Sequence, residues 1–174
     1  MGYLEPLKSV YLSLGTNLGD RLENIKKALS ALKGIPVHIV KISPIYESEP
    51  LGFKSKNPFY NLAIKIKTFL SPEALFIELK KIEFSLGREK TEVLTDRTMD
   101  IDILFYEDRI IETSLLKIPH ERATERAFVI LPLLHLEAEL VEPLSGKSIR
   151  EIALERETLF KGQKLEKLSL NIEI

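Results

Sequence analysis

The chain has 174 residues, 29% of them charged and 44% hydrophobic, and a formal net charge of −1. That composition excludes disordered and fibrous classes and suits a globular domain burying about two-thirds of its unfolded surface. Near-neutral charge excludes a surface built wholly for nucleic acid or anionic membrane, and the lack of cysteine excludes disulfides, thiolate catalysis and iron–sulfur clusters.

Met1 to Pro6 lacks the basic start and apolar core of a signal peptide. The longest apolar run, Ala127 to Leu134, is broken by Pro132 and too short to cross a bilayer. We therefore expect a soluble cytoplasmic protein without a membrane partner. Val10, Leu12 and Leu14 alternate with Tyr11 and Ser13, which predicts a strand. Gly15-Thr16-Asn17 reads as the turn after it. Leu18, Leu22, Ile25, Leu29 and Leu32 then recur at helical spacing until Gly34-Ile35-Pro36 stops them. Val37 to Glu47 predicts a second strand, interrupted near Ser43-Pro44, and Glu49 to Pro58 a loop. Leu62, Ile64 and Ile66 alternate with Asn61, Ala63 and Lys65 in a third strand.

Ser71-Pro72-Glu73 supplies an N-cap, a proline in the first turn and an acid at the positive dipole end of a second helix. Leu75, Leu79, Ile82 and Leu86 form its apolar stripe, and Gly87 suits the C′ position. A polar stretch from Arg88 to Arg97 leads into a fourth strand, Thr98 to Tyr106. A strand pair around Ile110 and Ile118, a helix near Arg122 to Leu134, and a peripheral helix and strand in the tail from Arg150 follow. Gly146-Lys147-Ser148 is a hairpin turn rather than a phosphate loop, since the first glycine of that motif would fall on Val141. No repeat or linker divides the chain, so a single domain over residues 1–174 is expected. The order β-α-β-β-α-β predicts an α+β, ferredoxin-like core: an antiparallel sheet with two helices on one face, plus C-terminal elements. That fold serves many functions and decides nothing about chemistry.

Within Arg97-Thr98-Met99-Asp100-Ile101-Asp102-Ile103, two carboxylates at i and i+2 of a strand share a face. Met99, Ile101, Ile103 and Phe105 are expected on the opposite, core-facing side. Adjacent like charges repel unless a cation lies between them, and Mg²⁺ prefers carboxylate and phosphate oxygen. The same spacing also fits a solvated strand edge. Lys80, Lys81, Glu83, Arg88, Lys90 and Arg97 crowd the approach to this strand. Such a surround suits a polyphosphate, whose transfer depends on positioning and charge stabilisation, though any single lysine there also fits a solvated helix end. His120 follows Pro119, with Arg122, Arg126 and Phe128 just beyond; His38 and His135 read as structural or solvated.

Tyr11-Leu12-Ser13-Leu14-Gly15-Thr16-Asn17-Leu18-Gly19-Asp20-Arg21 resembles the N-terminal signature of the 6-hydroxymethyl-7,8-dihydropterin pyrophosphokinases of folate biosynthesis. Ser43 to Gly52 is similar to that family's first substrate loop, and Phe59-Tyr60-Asn61 to the strand after it. Arg97 to Ile103 resembles its R-T-L-D-L-D-I element, and Pro119-His120 with Arg126-Ala127-Phe128 its P-H and R-x-F pairs. The likeness runs in order from about Tyr11 to Leu140. Departures are Thr16 for a frequent Ser, Glu49 for a frequent proline, Lys90 for a basic residue of some members, and Leu94-Thr95-Asp96 for a Trp-Gly-Pro run.

The resemblance implies transfer of the β,γ-diphosphate of ATP to the pterin hydroxymethyl group, with AMP leaving. Asp100 and Asp102 would hold two Mg²⁺ ions. Arg88, Arg97, Asp100, Asp102 and His120 would be catalytic, and Lys80, Glu83, Arg88, Lys90, Arg97, Ile103, His120 and Arg126 would bind ATP. Phe59 and Phe128 would stack on the pterin, Asn61 would offer donor and acceptor to its edge, and Ser48, Pro50 and Leu51 would complete its recognition; ordinary core packing also fits both phenylalanines. A monomer or weak homo-oligomer is expected, with a neighbouring pathway enzyme as a partner and no nucleic acid. A ferredoxin-like regulatory or RNA-binding module is the rival reading, but the aromatic signature of an RNA-recognition domain is missing. An inactive relative that keeps the site as a binding pocket is a third.

Overall fold

A computed structural model describes residues 7–50, 55–87, 96, 98–120, 122–170 and 172. Strand β1 (Lys8–Thr16) continues through Gly15 and Thr16 instead of turning there. The turn comes at Asn17–Gly19, where Gly19 takes φ 74°, a conformation open to glycine at little cost. Asp20 then caps α1 (Arg21–Lys33) by accepting from the Glu23 amide at 3.0 Å. Leu18, expected at the head of the apolar stripe, therefore lies outside the helix and exposed.

The predicted second strand is two strands, β2 (Val37–Ile42) and β3 (Tyr46–Ser48). Between them Ser43 Oγ accepts from the Ala63 amide at 2.8 Å, so a side-chain oxygen stands in for a ladder carbonyl where the strand breaks before Pro44. Both pair antiparallel with β4 (Phe59–Thr68). Helix α2 (Pro72–Ser85) starts on Ser71, which accepts from the Ala74 amide, and Gly87 follows its end at φ 93°. Strand β5 (Asp100–Tyr106) and the short pair β6 (Ile111–Glu112) and β7 (Lys117–Ile118) come next. A 3₁₀ turn over Ala123–Glu125 occupies the predicted start of the third helix, and α3 spans Ala127–Glu137. The chain ends in α4 (Ile149–Glu155), α5 (Glu157–Lys161) and β8 (Leu165–Lys167). Gly146, at φ 72°, lies in the loop closed by the Val141–Ser148 bridge, so the Gly-Lys-Ser run is a hairpin turn.

The antiparallel sheet runs β5-β1-β4-β3-β8, with β2 beside β3 on β4, which makes the fold α+β as expected. Its two faces bury separate cores. Val10, Leu12, Leu14, Leu62, Ile64, Ile66, Met99, Ile101 and Ile103 pack against α1 and α2. Tyr11, Ala63, Leu104 and Phe105 pack against α3, α4 and Phe160. The sheet thus carries helices on both faces rather than one. Phe105 also corrects the expected alternation. Pairing slips by one residue between Tyr11↔Phe105 and Leu12↔Ile103, and this bulge turns Leu104 and Phe105 to the same side.

Candidate active site

One end of the α3-bearing face is left to polar residues. The register sets Asp100 beside Gly15, Gly15 beside Asn61 and Asn61 beside Tyr46. At the usual strand spacing Asp100 and Asn61 stand about 10 Å apart, with Gly15 as the floor between them. A β-carbon on Gly15 would lie 3.3 Å from Asn61 Oδ1 and 3.7 Å from Phe59 Cδ1, so the absent side chain keeps the floor clear. Buried Asn61 donates through Nδ2 to Tyr46 O at 3.2 Å and to Ser48 Oγ at 2.7 Å. Both of its amide hydrogens are spent on the protein. Toward the Gly15 floor it presents Oδ1, an acceptor.

Asp100 and Asp102 share this face, while Ile101 between them is buried among the core under α2. Burial, and then the charge of Asp100, push the Asp102 carboxyl up to about 7; Lys80 and Arg126 pull the other way. Glu83 is 2% exposed and accepts from the Ile101 amide at 2.8 Å. Lys80 Nζ donates to both its oxygens, at 3.1 and 3.2 Å, and burial raises its pKa. Glu83, which the resemblance assigns to ATP, clamps the backbone between the two aspartates from beneath, its carboxylate turned onto the sheet.

A cavity of about 230 Å³ opens beside Asp102, lined also by Phe76, Lys80, Ile103 and His120, with Leu115 to Ile118 along the β6–β7 hairpin. His120 is held by its backbone amide, which donates to Leu104 O at 3.2 Å, and its Nδ1 accepts from the Arg122 amide at 3.4 Å. Arg126 precedes α3 and lies with Cζ 5.5 Å from the centre of the Phe128 ring. Phe128 itself is half-buried against the core under α3. Pro50, just past β3, is half-buried. Arg88, Lys90, Arg97 and Leu51 lie outside the described residues.

The structure thus brings Lys80, Asp100, Asp102, Ile103, His120 and Arg126 into one neighbourhood, with Phe59, Asn61 and Ser48 across Gly15. Two groups escaped the sequence reading. The hairpin residues Leu115 and Leu116 line the cavity, yet a dipeptide of leucines in a turn carries no period that could announce it. Asn17, Asn57 and Asp96 meet by hydrogen bonds of 2.7–3.0 Å, although they stand far apart in the chain. Arg21 is a neighbour, donating to Glu47 Oε2 and Pro58 O and stacking 3.8 Å over Tyr60.

A divalent cation suits the carboxylate pair. Among the described residues no cluster of three or more acidic or histidine side chains could ligate a metal. Mg²⁺ commonly takes one or two carboxylates and completes its shell with phosphate oxygens and water, so two aspartates on one strand face fit its donor set.

Residues 11–138 match the family described as 7,8-dihydro-6-hydroxymethylpterin-pyrophosphokinase. The 2-amino-4-hydroxy-6-hydroxymethyldihydropteridine pyrophosphokinase of Aquifex aeolicus is 41% identical over 83% of this chain and 90% of its own length. The protein of that name from Haemophilus influenzae is 37% identical over 92% and 98%. The folic acid synthesis protein fol1 of Pneumocystis carinii is 44% identical over 82% of this chain, which spans only 19% of it. A crystal structure of HPPK-DHPS in complex with substrates shares the fold at TM-score 0.74 and 17% identity, over 95% of this chain and 47% of that one. A Plasmodium falciparum HPPK-DHPS triple mutant does so at TM-score 0.75 and 18%, over 94% and 48%. The chain is thus about a fifth of the fol1 protein and half of the solved HPPK-DHPS chains, but nearly the full length of the two bacterial enzymes. With a family match over residues 11–138 and two bacterial relatives 37–41% identical across nearly their full length, the chain belongs to the 7,8-dihydro-6-hydroxymethylpterin-pyrophosphokinase family.

Proposed function

We propose that the chain carries out its family's reaction through this cleft, moving the β,γ-diphosphate of ATP onto the hydroxymethyl oxygen of 6-hydroxymethyl-7,8-dihydropterin in tetrahydrofolate biosynthesis. The observation that carries the reading is the row Asp100–Gly15–Asn61, a carboxylate and an amide on either side of a bare strand floor, which suits a polyphosphate beside the one and a heterocycle beside the other. The hydroxyl oxygen attacks the β-phosphorus, the bond from that phosphorus to the α,β-bridging oxygen breaks, and AMP leaves with the bridging oxygen. Little covalent work falls to the protein, so positioning and charge stabilisation dominate.

Asp100 and Asp102 would hold Mg²⁺, two ions in our reading, which when bound supplies the charge neutralisation that a polyphosphate requires. Lys80, His120 and Arg126 border the cavity or its carboxylate and bring donors and positive charge to the nucleotide. Ile103, Leu115 and Leu116 offer an apolar wall for the base. Arg88, Lys90 and Arg97 are assigned to the phosphates by resemblance. On the pterin side Phe59 and Phe128 would stack, Asn61 Oδ1 would accept from the ring, and Ser48, Pro50 and Leu51 would border it.

We place the protein in the cytoplasm, as its cysteine-free sequence permits, and as a monomer or weak homo-oligomer. A neighbouring folate enzyme is the partner we favour, because several relatives are bifunctional proteins. The test is AMP formation from ATP, dependent on both Mg²⁺ and 6-hydroxymethyl-7,8-dihydropterin. No AMP above background removes the enzyme reading.

A further inference from the structure

The two halves of the cleft are tied together by one carboxylate outside both. Asp96 Oδ1 accepts from Asn17 Nδ2 at 2.7 Å, and Asp96 Oδ2 accepts from Asn57 Nδ2 at 2.8 Å. Asn17 Nδ2 also donates to Asn57 O at 3.0 Å, and the Asn57 amide donates to Ser55 Oγ at 3.1 Å. Asn17 is 2% exposed and directly follows β1, the strand whose Gly15 floors the site. Asn57 is separated from Phe59 by Pro58 alone, and Pro58 O is held in turn by Arg21 at 2.9 Å. Asp96 stands four residues before Asp100 in the sequence.

Each contact joins a different part of the site. Asn17 is the fixed member, since its strand is hydrogen-bonded on both sides. Asn57 governs how the chain enters β4 and so where Phe59 and Asn61 stand. Asp96 lies in the sequence just ahead of the carboxylate strand. Bonds to an ionised acceptor are the stronger kind, and a carboxylate offers only acceptors to the two amide NH₂ groups facing it. An amide in its place would turn an NH₂ toward one of those NH₂ groups and lose that arm.

We propose that Asp96 is a positioning residue that couples the pterin half of the cleft to its nucleotide half. It rests on the proposed reading of the site. Asp96 touches neither substrate. By holding Asn57 and Asn17 together it keeps the entry to β4 in register with the approach to β5, so that filling the nucleotide side prepares the pterin side. A group that preorganises a site improves binding by lowering the ordering cost.

The test compares wild type, D96N, N57D and the double variant N57D/D96N. Each is titrated with the pterin alone and with the pterin plus a non-hydrolysable ATP analogue and Mg²⁺, with steady-state kcat and KM and thermal melts beside the titrations. The expected result for D96N is a roughly tenfold weaker pterin affinity in the presence of the nucleotide analogue. Analogue binding to the free enzyme stays within about twofold of wild type, so the nucleotide-dependent gain in pterin affinity shrinks. The double variant restores a donor–acceptor match between positions 57 and 96 and recovers most of that gain. A merely structural role would lower the melting temperature and weaken both ligands alike, which overturns the proposal. So does wild-type coupling in D96N, or a double variant that regains the melting temperature but not the coupling. If D96N does not fold, N57A removes one arm of the clamp and is read in the same titrations with the same expected and overturning results. Wild-type AMP formation separates the two ideas: without it the reading of the cleft fails, whereas with it an unchanged D96N sinks only the clamp.

Discussion

Replacing Asp102 by asparagine should stabilise the metal-free protein, by an amount that grows from about pH 4 and reaches its full value above about pH 7. In the fold this carboxyl is pushed from the 3.8 of a free aspartate to about 7, by burial first and by the charge of Asp100 second. Below pH 4 it is protonated in folded and unfolded chains alike and has no effect. As pH rises from 4 to 7 the unfolded chain gives up the proton while the folded one keeps it, so stability is lost; above 7 the loss is complete. Each pH unit across that window costs about 1.36 kcal/mol, which sets a ceiling of about 4 kcal/mol. Screening in an open cleft brings the expected gain of Asp102→Asn to about 1–2 kcal/mol. For a domain of this size that is a rise in melting temperature of roughly 2–8 °C at pH 8.

The assay is a set of thermal melts of both proteins in chelator at pH 4.5, 6 and 8. The difference should be near zero at pH 4.5 and grow to its plateau by pH 8. Glu83, raised by burial, changes stability in the same direction, but it is present in both proteins and largely cancels. Added Mg²⁺ should then raise the melting temperature of the wild type at pH 8 and leave Asp102→Asn little changed, because a ligand stabilises only the fold that binds it. A difference independent of pH, or a variant that is less stable at pH 8, would refute the account of these two carboxylates as a repelling pair.

Asp100→Ala should abolish AMP formation while melting as a folded protein, and turnover near that of wild type would remove it from the site. Phe128→Ala should weaken the pterin about tenfold in the presence of a non-hydrolysable ATP analogue, in keeping with a lost stacking partner and its buried area, and should change nucleotide affinity little. Calorimetry reads both, and equal losses would return Phe128 to the core under α3. Gly15→Ala puts a β-carbon 3.3 Å from Asn61 Oδ1, an atom whose side chain is already held by Tyr46 and Ser48. The pterin KM should rise several-fold with a small change in melting temperature; an unchanged KM would show that the floor is not in contact with the substrate.

The elements with strict alternation or clean caps were legible from the chain itself. Leu62, Ile64 and Ile66 named β4 and its core face, and Ser71 and Gly87 marked the limits of α2 within a residue or two. The start of α1 was misjudged because Leu18 fits the helical period, whereas Asp20 and a glycine at positive φ decide where the backbone turns. Periodicity records which side chains want burial; caps record where the backbone hydrogen bonds need a partner. In the site, Asp100 and Asp102 were visible because their spacing is local. Glu83 was placed in the right region, but its bond to the sheet was not legible, since nothing along the chain shows that its carboxylate folds under the sheet onto the Ile101 amide. Asn17, Asn57 and Asp96 were invisible as a group, because asparagine and aspartate in loops are ordinary turn residues and only the closed sheet brings them together.

The bulge in β5 explains why the carboxylate strand can serve a cleft and a core at once. With strict alternation Asp100, Asp102, Leu104 and Tyr106 would share one face, and Phe105 would turn to the core under α1 and α2. The extra residue puts Leu104 and Phe105 side by side under α3 and sends Tyr106 back to the other core, where its hydroxyl donates to Leu70 O at 2.6 Å. Two large apolar side chains in succession give α3 a docking surface that begins immediately after the last carboxylate. Ala127, Val129, Ile130 and Leu133 fill it, so the N-terminal end of α3 sits at the boundary between apolar floor and polar cleft. That is where Arg126 feels the charge of Asp102 and lies beside Phe128. Without the slip in register the helix would have one such anchor instead of two on that strand.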